Sequence, residues 1–404
     1  MIAARGGVRR RFSLALALKL LAVAIVTVLT LQALFHIRVS QALFRQPNMV
    51  AAFGVNPDDG MAAGYLAWTM LGSPAEPAAE GLARLALART PLSASAVTVL
   101  AARAADPMRS ERLFAHALAM GWRDPVAQRH AARRALGEGR LDDAARHADA
   151  AARVWGMTAE TRALIDRFAL DPAARPALVR RLLLLPAWRI AYLNGEGSAR
   201  AALGPRVALV SALRGTPAAA EPRAIATLVR QAQAQSGYAA AYAAWSRMVP
   251  ARDAGPVQDP LFARLDHPAD DATLFDWQYR AVPGAAATIA AGGRGLEASA
   301  DGASVEEIAR QVVRLAPGRR RLRIAGSSAD GLGGSAFRWT LYCYDRAGRG
   351  RPLAPVAGVA TGAAQLVFDI PADGSCDFQS LSLQTQQGDL PGHSGMRFTA
   401  VRVD

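Results

Sequence analysis

The sequence is poor in lysine, cysteine and histidine. Its 404 residues include two cysteines, six histidines and a single lysine, Lys19, within a total of 47 basic residues. The histidines and cysteines show no spacing typical of metal ligands. We therefore expect no metal site and no bound cofactor.

Catalytic motifs are also missing. No nucleophile elbow, phosphate-binding loop or dinucleotide fingerprint occurs in the chain. Some acidic residues are adjacent in sequence, but neighbouring side chains point in different directions and do not make a paired acid and base. We therefore expect that the protein is not an enzyme. The alternative, a glycan-active enzyme, needs two carboxylates facing each other about 5–10 Å apart across a cleft.

Only one apolar run is long enough to cross a bilayer, residues 13–36, and Lys19 is its only charge. Arginines precede it at Arg5, Arg9, Arg10 and Arg11. We expect residues 1–12 to be a cytoplasmic basic tail and residues 13–36 a transmembrane helix of a bacterial inner membrane. The rest of the chain would then be periplasmic. The alternative is a cleaved signal peptide, whose apolar core is usually about 7–15 residues.

The net charge is strongly positive, +14 with a pI near 11.0. Such a charge often indicates a nucleic-acid partner. Here the arginines are scattered and follow no known nucleic-acid-binding spacing, and the predicted location is outside the cytoplasm. We therefore expect no nucleic-acid partner.

The composition changes along the chain and indicates several domains. Alanine dominates residues 47–248, which we predict to be a helical-repeat domain. Residues 249–261 hold three prolines and read as a linker. Residues 262–404 are rich in glycine, serine and alternating apolar residues, and we predict a β-sandwich domain there. The predicted fold class is multidomain, with α and β parts.

Helical hairpins are predicted in the alanine-rich part. Pro91 and Pro125 each begin a helix pattern and lie 34 residues apart, the period of tetratricopeptide repeats. Residues 125–158 resemble one such repeat, and the likeness extends over about 60–170. The packing positions are Gly139, Leu141, Ala144, Ala148 and Ala151, whereas Gln128 and Gly156 depart from the pattern. The resemblance implies a short α-solenoid that binds a protein partner.

Aromatic residues recur near the end of this part, at Tyr238, Tyr242 and Trp245. Their spacing of four and three residues puts them on one face of a helix. We interpret this stripe as core packing rather than as a ligand groove.

Eight strands are predicted after residue 262, which is typical of a sandwich or jelly roll. In "FRWTLYC", Phe337, Trp339, Leu341 and Cys343 share one face and the residues between them share the other. Cys343 therefore points into the core. In an oxidising compartment it is free to pair with Cys376 and close a loop that stabilises the domain by about 3–4 kcal/mol. Two unpaired thiols are the alternative.

The stretches "LFDWQYRA", "RQVVRLAPGRRRLRIAGSS", "FDIPADGSCDFQSLSLQTQ" and "GMRFTAVRVD" follow one another in this domain. In this order they resemble the jelly-roll carbohydrate-binding modules found beside bacterial glycanases, over about residues 265–404. The resemblance implies a sugar ligand, and the candidate stacking residues are Trp277, Tyr342 and Tyr344. Ordinary sandwich packing is the alternative for each.

Arginines are concentrated on the predicted strands. Arg321 and Arg323 share a face, and Arg338 lies on a later strand; Arg310, Arg314 and Arg319 belong to the same group. Guanidinium groups suit carboxylate, sulfate or phosphate, so an acidic polysaccharide or a lipid headgroup is the expected ligand. A solvated face is the alternative.

These features favour a membrane-anchored periplasmic adaptor. Its helical repeats would bind a protein partner, and its sandwich would handle a cell-envelope or exported polysaccharide, as in surface-glycan assembly. The rival hypothesis is a purely structural scaffold in which both domains bind proteins.

Overall fold

The computed structural model describes residues 14–45, 48–195, 202–249, 255–263, 271–290, 293–328, 336–345, 348–355, 362–387 and 394–404. The chain forms two compact units, Met1–Trp155 and Gly156–Asp404. This division falls at a different position from the composition change near residues 249–261.

The first unit is helical throughout its described part. Its helices are α1 Leu14–Arg45, α2 Met49–Val55, α3 Gly60–Thr69, α4 Glu76–Arg89, α5 Ala94–Arg103, α6 Pro107–Met120, α7 Pro125–Gly137 and α8 Leu141–Trp155. Within α1, the segment Leu18–Val39 is long and apolar enough to cross a membrane, a test that an N-terminal signal sequence also passes. The predicted membrane segment therefore coincides with an apolar helix.

Helices α7 and α8 pack against each other as a hairpin. Asp124 begins α7 because its carboxylate accepts a hydrogen bond from the Ala127 amide at 2.8 Å, and Pro125 occupies the first turn. Gly139 lies between the helices with a φ of 73°, which favours glycine. Ala144, Ala148 and Ala151 are fully or almost fully buried on α8. Small side chains at these positions let the two helices approach closely.

The second unit begins with five helices, α9 Ala159–Leu170, α10 Arg175–Leu182, α11 Trp188–Asn194, α12 Leu203–Leu213 and α13 Pro222–Met248. Gly237 interrupts α13, since its φ of 80° and ψ of −176° are not helical. The aromatic residues Tyr238, Tyr242 and Trp245 lie after this break.

Eleven strands in the described residues follow α13, and they form two antiparallel sheets. The strands are β1 Gln278–Tyr279, β2 Ala281–Val282, β3 Ala285–Ile289, β4 Leu296–Ala300, β5 Glu307–Val313, β6 Gly318–Ser328, β7 Phe337–Tyr344, β8 Gly350–Pro355, β9 Gly362–Ile370, β10 Phe378–Thr385 and β11 Ser394–Val403. The five-stranded sheet has the order β1-β5-β10-β7-β8, and the six-stranded sheet has the order β2-β3-β4-β11-β6-β9. The predicted fold class, helices followed by an antiparallel sandwich, is confirmed.

The sandwich core follows the alternation expected of β7. Phe337, Trp339, Leu341 and Cys343 are buried, and the Trp339 ring meets the Phe398 ring edge-on at 5.4 Å. Each of the eight predicted strands has a counterpart, but the first is reduced to the short β1 and β2. The cause is a turn, in which Thr273 donates from its amide and its hydroxyl to the Asp276 carboxylate.

Strands β3 and β8 were not predicted. The sequence of β3 is "AAATI", and alanine favours strands only weakly. The sequence of β8 contains Pro352, which cannot donate a backbone hydrogen bond and is confined to edge strands. Both segments become strands through pairing, with β4 and β7 respectively.

Candidate functional site

A disulfide joins Cys343 on β7 to Cys376 in the loop before β10, with 4.8 Å between the Cα atoms. Gln379 fixes the same loop, since its side-chain amide donates to the Cys376 carbonyl at 2.7 Å and accepts from the Leu315 amide at 2.8 Å. The loop of residues 371–377 is therefore fixed by a disulfide and by hydrogen bonds.

A cleft of about 1100 Å³ lies beside this disulfide, and we call it the disulfide cleft. Its polar lining includes the arginines Arg314, Arg349 and Arg351, the aspartates Asp345, Asp373 and Asp377, and Ser375. No motif in the sequence predicted this cleft. Two short stretches supply most of its charged groups, "DRAGRGR" with arginines and an aspartate and "PADGSCD" with two aspartates.

The charged groups of the disulfide cleft are held in place by local contacts. Arg349 donates from Nε to the Asp345 carboxylate at 2.8 Å, and Arg351 donates to the Ser375 hydroxyl at 2.6 Å. Hydrogen bonds from Ser375 lower the pKa of Asp373 below its ordinary value. Three guanidinium and three carboxylate groups balance in formal charge. Their mixture of donors and acceptors suits the hydroxyl groups of a neutral ligand better than a strong anion.

The outer face of the five-stranded sheet is covered by the end of α13. The Tyr238 ring packs on the Tyr344 ring at 4.6 Å, Tyr242 lies 5.8 Å from Phe378, and Trp245 lies 5.3 Å from Phe275. On the same face, Thr340, Ser380 and Ser382 are buried. The aromatic stripe is therefore packing, as interpreted from the sequence, but it packs against the sandwich. Tyr344 is consequently not an open platform for a sugar ring.

A polar cluster lies at the edge of this interface. The Ser382 hydroxyl donates to the Glu307 carboxylate at 2.7 Å, and Arg310 donates to the Gln278 side chain at 3.0 Å. Arg310 and Glu307 form an ion pair at 3.6 Å. Burial, together with the adjacent Tyr344, raises the pKa of Tyr238 to about 12. Tyr238 therefore remains a neutral phenol at every physiological pH.

The other candidate stacking residues are placed differently. Trp277 is 3% exposed, its indole donates to the Asp259 carbonyl, and its ring meets Trp339 edge-on at 5.9 Å. Trp277 is therefore a core residue and not a sugar-contact residue, because neither face of its ring is exposed. Tyr342 is half-buried on the outer face of the five-stranded sheet, opposite Pro352.

The arginine group predicted from the sequence is divided between the two sheets. Arg310, Arg314 and Arg338 accompany the five-stranded sheet, whereas Arg319, Arg321 and Arg323 lie on β6 of the six-stranded sheet. The turn at Pro317, between β5 and β6, carries the chain from one sheet to the other. The exposed Arg338 donates to the Gln386 side chain at 3.2 Å.

Arginines line the outer surface of the six-stranded sheet, and we call four of them the arginine face. Its members are Arg319, Arg321 and Arg323 on β6 and Arg402, which lies opposite Arg323 on β11. Arg323 pairs with Asp404 at 2.8 Å. Within the described part of the chain, the side chains of Arg319, Arg321 and Arg402 have no hydrogen bond or ion pair. Their donors are therefore available to a ligand.

The first unit has a smaller pocket of about 150 Å³ between α6, α7 and α8. Glu111 accepts from Arg134 at 2.7 Å and lies 2.9 Å from the His130 ring nitrogen. In the same unit, Trp122 is 50% exposed and stacks on His147 at 5.0 Å. The Arg146 guanidinium lies over the Trp122 ring, 5.7 Å from its centroid. Among the described residues, no group of three histidine, cysteine or acidic side chains is placed to hold a metal ion.

Comparisons with known proteins give a likeness of fold for the C-terminal part. No protein-family model matches the chain, and no curated protein matches it. The carbohydrate-binding module TmCBM61, solved with β-1,4-galactotriose, is 10% identical, with a TM-score of 0.25, over 38% of this chain and 99% of that one. The CBM22-1 xylan-binding domain of Paenibacillus barcinonensis Xyn10C is 11% identical, with a TM-score of 0.24, over 31% and 83%. A likeness at this level carries no argument about function.

Proposed function

We propose that this chain is a membrane-anchored adaptor of the bacterial cell envelope, without catalytic activity. Helix α1 is the anchor, with the N-terminus in the cytoplasm and the bulk of the chain in the periplasm. The sandwich handles a cell-envelope or exported polysaccharide during surface-glycan assembly. The helical hairpins, of tetratricopeptide type, bind a protein partner.

The arginine face is the observation that carries the glycan role. Along β6 the guanidinium groups recur every second residue, a repeat of about 6.6 Å. Arg319, Arg321 and Arg402 have no side-chain partner in the described residues, so their binding capacity is not used internally. A row of guanidinium groups on the outer surface of a sheet suits the carboxylate or sulfate groups of an extended acidic polymer. The disulfide cleft, whose charges balance, offers donors and acceptors to the hydroxyl groups of a neutral sugar.

The partner role of the first unit is supported by Trp122. This ring is half exposed beside Arg146, and tryptophan and arginine are the residues that most often dominate binding energy at protein interfaces. Such a surface is typical of a site that a partner protein covers.

The test uses the full chain in nanodiscs of neutral lipid and a panel of acidic and neutral bacterial polysaccharides. We expect saturable binding of an acidic polymer. Arg321→Gln combined with Arg402→Gln should weaken it about threefold to tenfold, because exposed ion pairs contribute about 0.2–1 kcal/mol each. Arg338→Gln, on the other sheet, is the matched control and should leave the affinity unchanged. If no polysaccharide binds, or if both variants weaken binding equally, the assignment to the arginine face is wrong.

A purely structural scaffold is the second candidate, and one observation favours it. The outer face of the five-stranded sheet is already occupied by α13 through Tyr238, Tyr242 and Trp245. The outer face of the sandwich thus already packs against a helix. In this case Trp122→Ala would abolish capture of a partner, while no variant of the arginine face would alter any binding.

A further inference from the structure

Three consecutive leucines are exposed at the turn between α10 and α11. Leu183, Leu184 and Leu185 are 41%, 61% and 52% exposed, and Ile190 on α11 is exposed as well. We call residues 183–185 the leucine turn. Single exposed leucines are ordinary, but a contiguous apolar surface indicates an interaction site.

The backbone of the leucine turn is strained. Leu185 has a φ of 52°, in the left-handed region that residues with a Cβ atom rarely adopt. About half of its side chain is exposed. This left-handed residue ends the helical turn before Pro186 and leaves three leucine side chains exposed in a row.

The N–H groups of the leucine turn are all bonded internally. Leu183 donates to the Val179 carbonyl at 3.0 Å, Leu184 to Arg181 at 3.1 Å and Leu185 to Leu182 at 2.9 Å. The next residue, Pro186, has no amide hydrogen. The tip of the turn therefore exposes no free N–H donor. Internal bonding of these N–H groups lowers the cost of placing the turn against lipid, because an unsatisfied N–H is costly in an apolar medium.

Basic residues border the leucine turn. Arg180 and Arg181 directly precede the leucines in the last turn of α10. Arg189 follows them and is held by the Ala218 carbonyl at 2.8 Å. Exposed leucines beside arginines match the chemistry of a membrane surface, where apolar side chains enter the headgroup region and cations meet anionic lipids.

We propose that the leucine turn inserts into the headgroup region of the membrane that carries α1. The inference rests on the membrane anchoring proposed above and adds a second contact with the lipid. It assigns the exposed leucines to anionic phospholipid rather than to a protein partner, since exposed leucines beside arginines match both the apolar and the anionic parts of a lipid surface.

The test places an environment-sensitive fluorophore on single cysteines in the full chain. Because both native cysteines are in a disulfide, an introduced cysteine is the only free thiol. The three sites are Leu184→Cys in the leucine turn, Val28→Cys in α1 and Leu92→Cys. Leu92 is the matched control, a leucine that is 80% exposed in a different turn. The chain is reconstituted in nanodiscs of phosphatidylcholine with phosphatidylglycerol, and emission is quenched either by spin-labelled lipid or by iodide in the water.

We expect spin-labelled lipid to reduce the Leu184 emission about twofold, for insertion of about 5–10 Å, and to leave the Leu92 emission unchanged. Arg181→Gln should reduce the dependence on phosphatidylglycerol. If the Val28 probe is quenched by lipid but the Leu184 probe is quenched only by iodide, the leucine turn is not a lipid contact and the anchoring stands. If the Val28 probe is not quenched by lipid, the anchoring fails and the inference falls with it. Leu183→Cys, labelled in the same way, repeats the measurement should Leu184→Cys fold poorly.

Discussion

The ring of Tyr238 on α13 lies against the ring of Tyr344 on β7, with 4.6 Å between the centroids and 36° between the planes. This contact joins the helical and the sandwich parts of the second unit. It follows a break in α13 at Gly237, which lets the last turns of the helix lie along the sheet. The helix and the sandwich therefore share a core, and changes at their contact should affect both.

Truncation of Trp245 should destabilise the second unit. This ring is buried against Phe275 and Tyr242, at 5.3 Å and 5.7 Å. We expect Trp245→Ala to lower the free energy of unfolding by about 3–5 kcal/mol, the usual range for a buried aromatic residue. Hydrogen exchange should become faster in β10, whose Phe378 belongs to the same aromatic cluster. Ser246→Ala, at the adjacent exposed position, is the control, and equal effects of the two changes would show that the stripe does not hold the sheet.

Removal of the disulfide should lower the stability of the sandwich. The bridge closes a loop with a sequence separation of 33, for which the chain-entropy model gives about 3–4 kcal/mol. The measurement is chemical unfolding of the full chain with and without a reducing agent. Cys343→Ser combined with Cys376→Ser should match the reduced protein and show no further response to reductant. A wild-type protein whose unfolding is unaffected by reductant would contradict the prediction.

The disulfide cleft should bind a neutral oligosaccharide, and Arg351 should contribute to the affinity. Arg351 lines the cleft and uses one donor on the Ser375 hydroxyl, so its other donors are not used by that contact. Because hydrogen bonds from charged groups contribute about 1.5–3 kcal/mol, Arg351→Gln should weaken binding about tenfold or more. Binding of a neutral ligand should change little between low and moderate salt, unlike binding to the arginine face. Equal losses from Arg351→Gln and from Arg338→Gln would place the ligand elsewhere.

The stability of the first unit should depend on the charge of Asp124. Burial raises the pKa of this carboxyl above its ordinary value of 3.8, despite the hydrogen bond from Ala127. The folded state then binds the proton more tightly than the unfolded state does. Above the raised pKa, the buried charge therefore lowers the free energy of unfolding. This destabilisation disappears as the pH falls toward 3.8.

Two substitutions separate the charge of Asp124 from its capping role. Asp124→Asn keeps an acceptor for α7, so at neutral pH this variant should unfold at a denaturant concentration equal to or above that of the wild type. The difference in stability between Asp124→Asn and the wild type should vanish in acid. Asp124→Ala loses the cap and should cost about 1 kcal/mol at every pH. An asparagine variant that is clearly less stable at neutral pH would show that the charge itself stabilises the helix.

The sequence predicted local structure well where a single periodicity determined it. The alternation of Phe337, Trp339, Leu341 and Cys343 correctly indicated a strand with one buried face. The aromatic spacing of Tyr238, Tyr242 and Trp245 correctly indicated packing. The spacing did not indicate which surface these aromatic residues pack against. Phe275 and Phe378 are distant from them in sequence, and only the tertiary fold brings the rings together.

The candidate site was less predictable. Trp277 lies inside the aromatic-rich stretch that was predicted to be the first strand, but the strand begins only at Gln278, after a turn at Thr273 and Asp276, and the ring is buried in the core. The arginine group reads as one cluster because its members are close in sequence, yet the turn after β5 separates Arg310 from Arg321 by placing them on different sheets. No periodic pattern in the sequence marks the residues of the disulfide cleft, because three loops form it.

The contact of α13 with the five-stranded sheet also determines how this protein can be cut, fused or exchanged. A module that can be transferred to another protein needs to begin and end at residues that make few contacts with the rest of the chain. Here a fragment that starts at residue 262 would leave behind the helix that shields Phe378 and Tyr344, and bare aromatic rings on a sheet promote aggregation. A boundary that keeps these contacts lies near Gly156, where the second unit begins, so that in recombination α9 to α13 and the sandwich are inherited together.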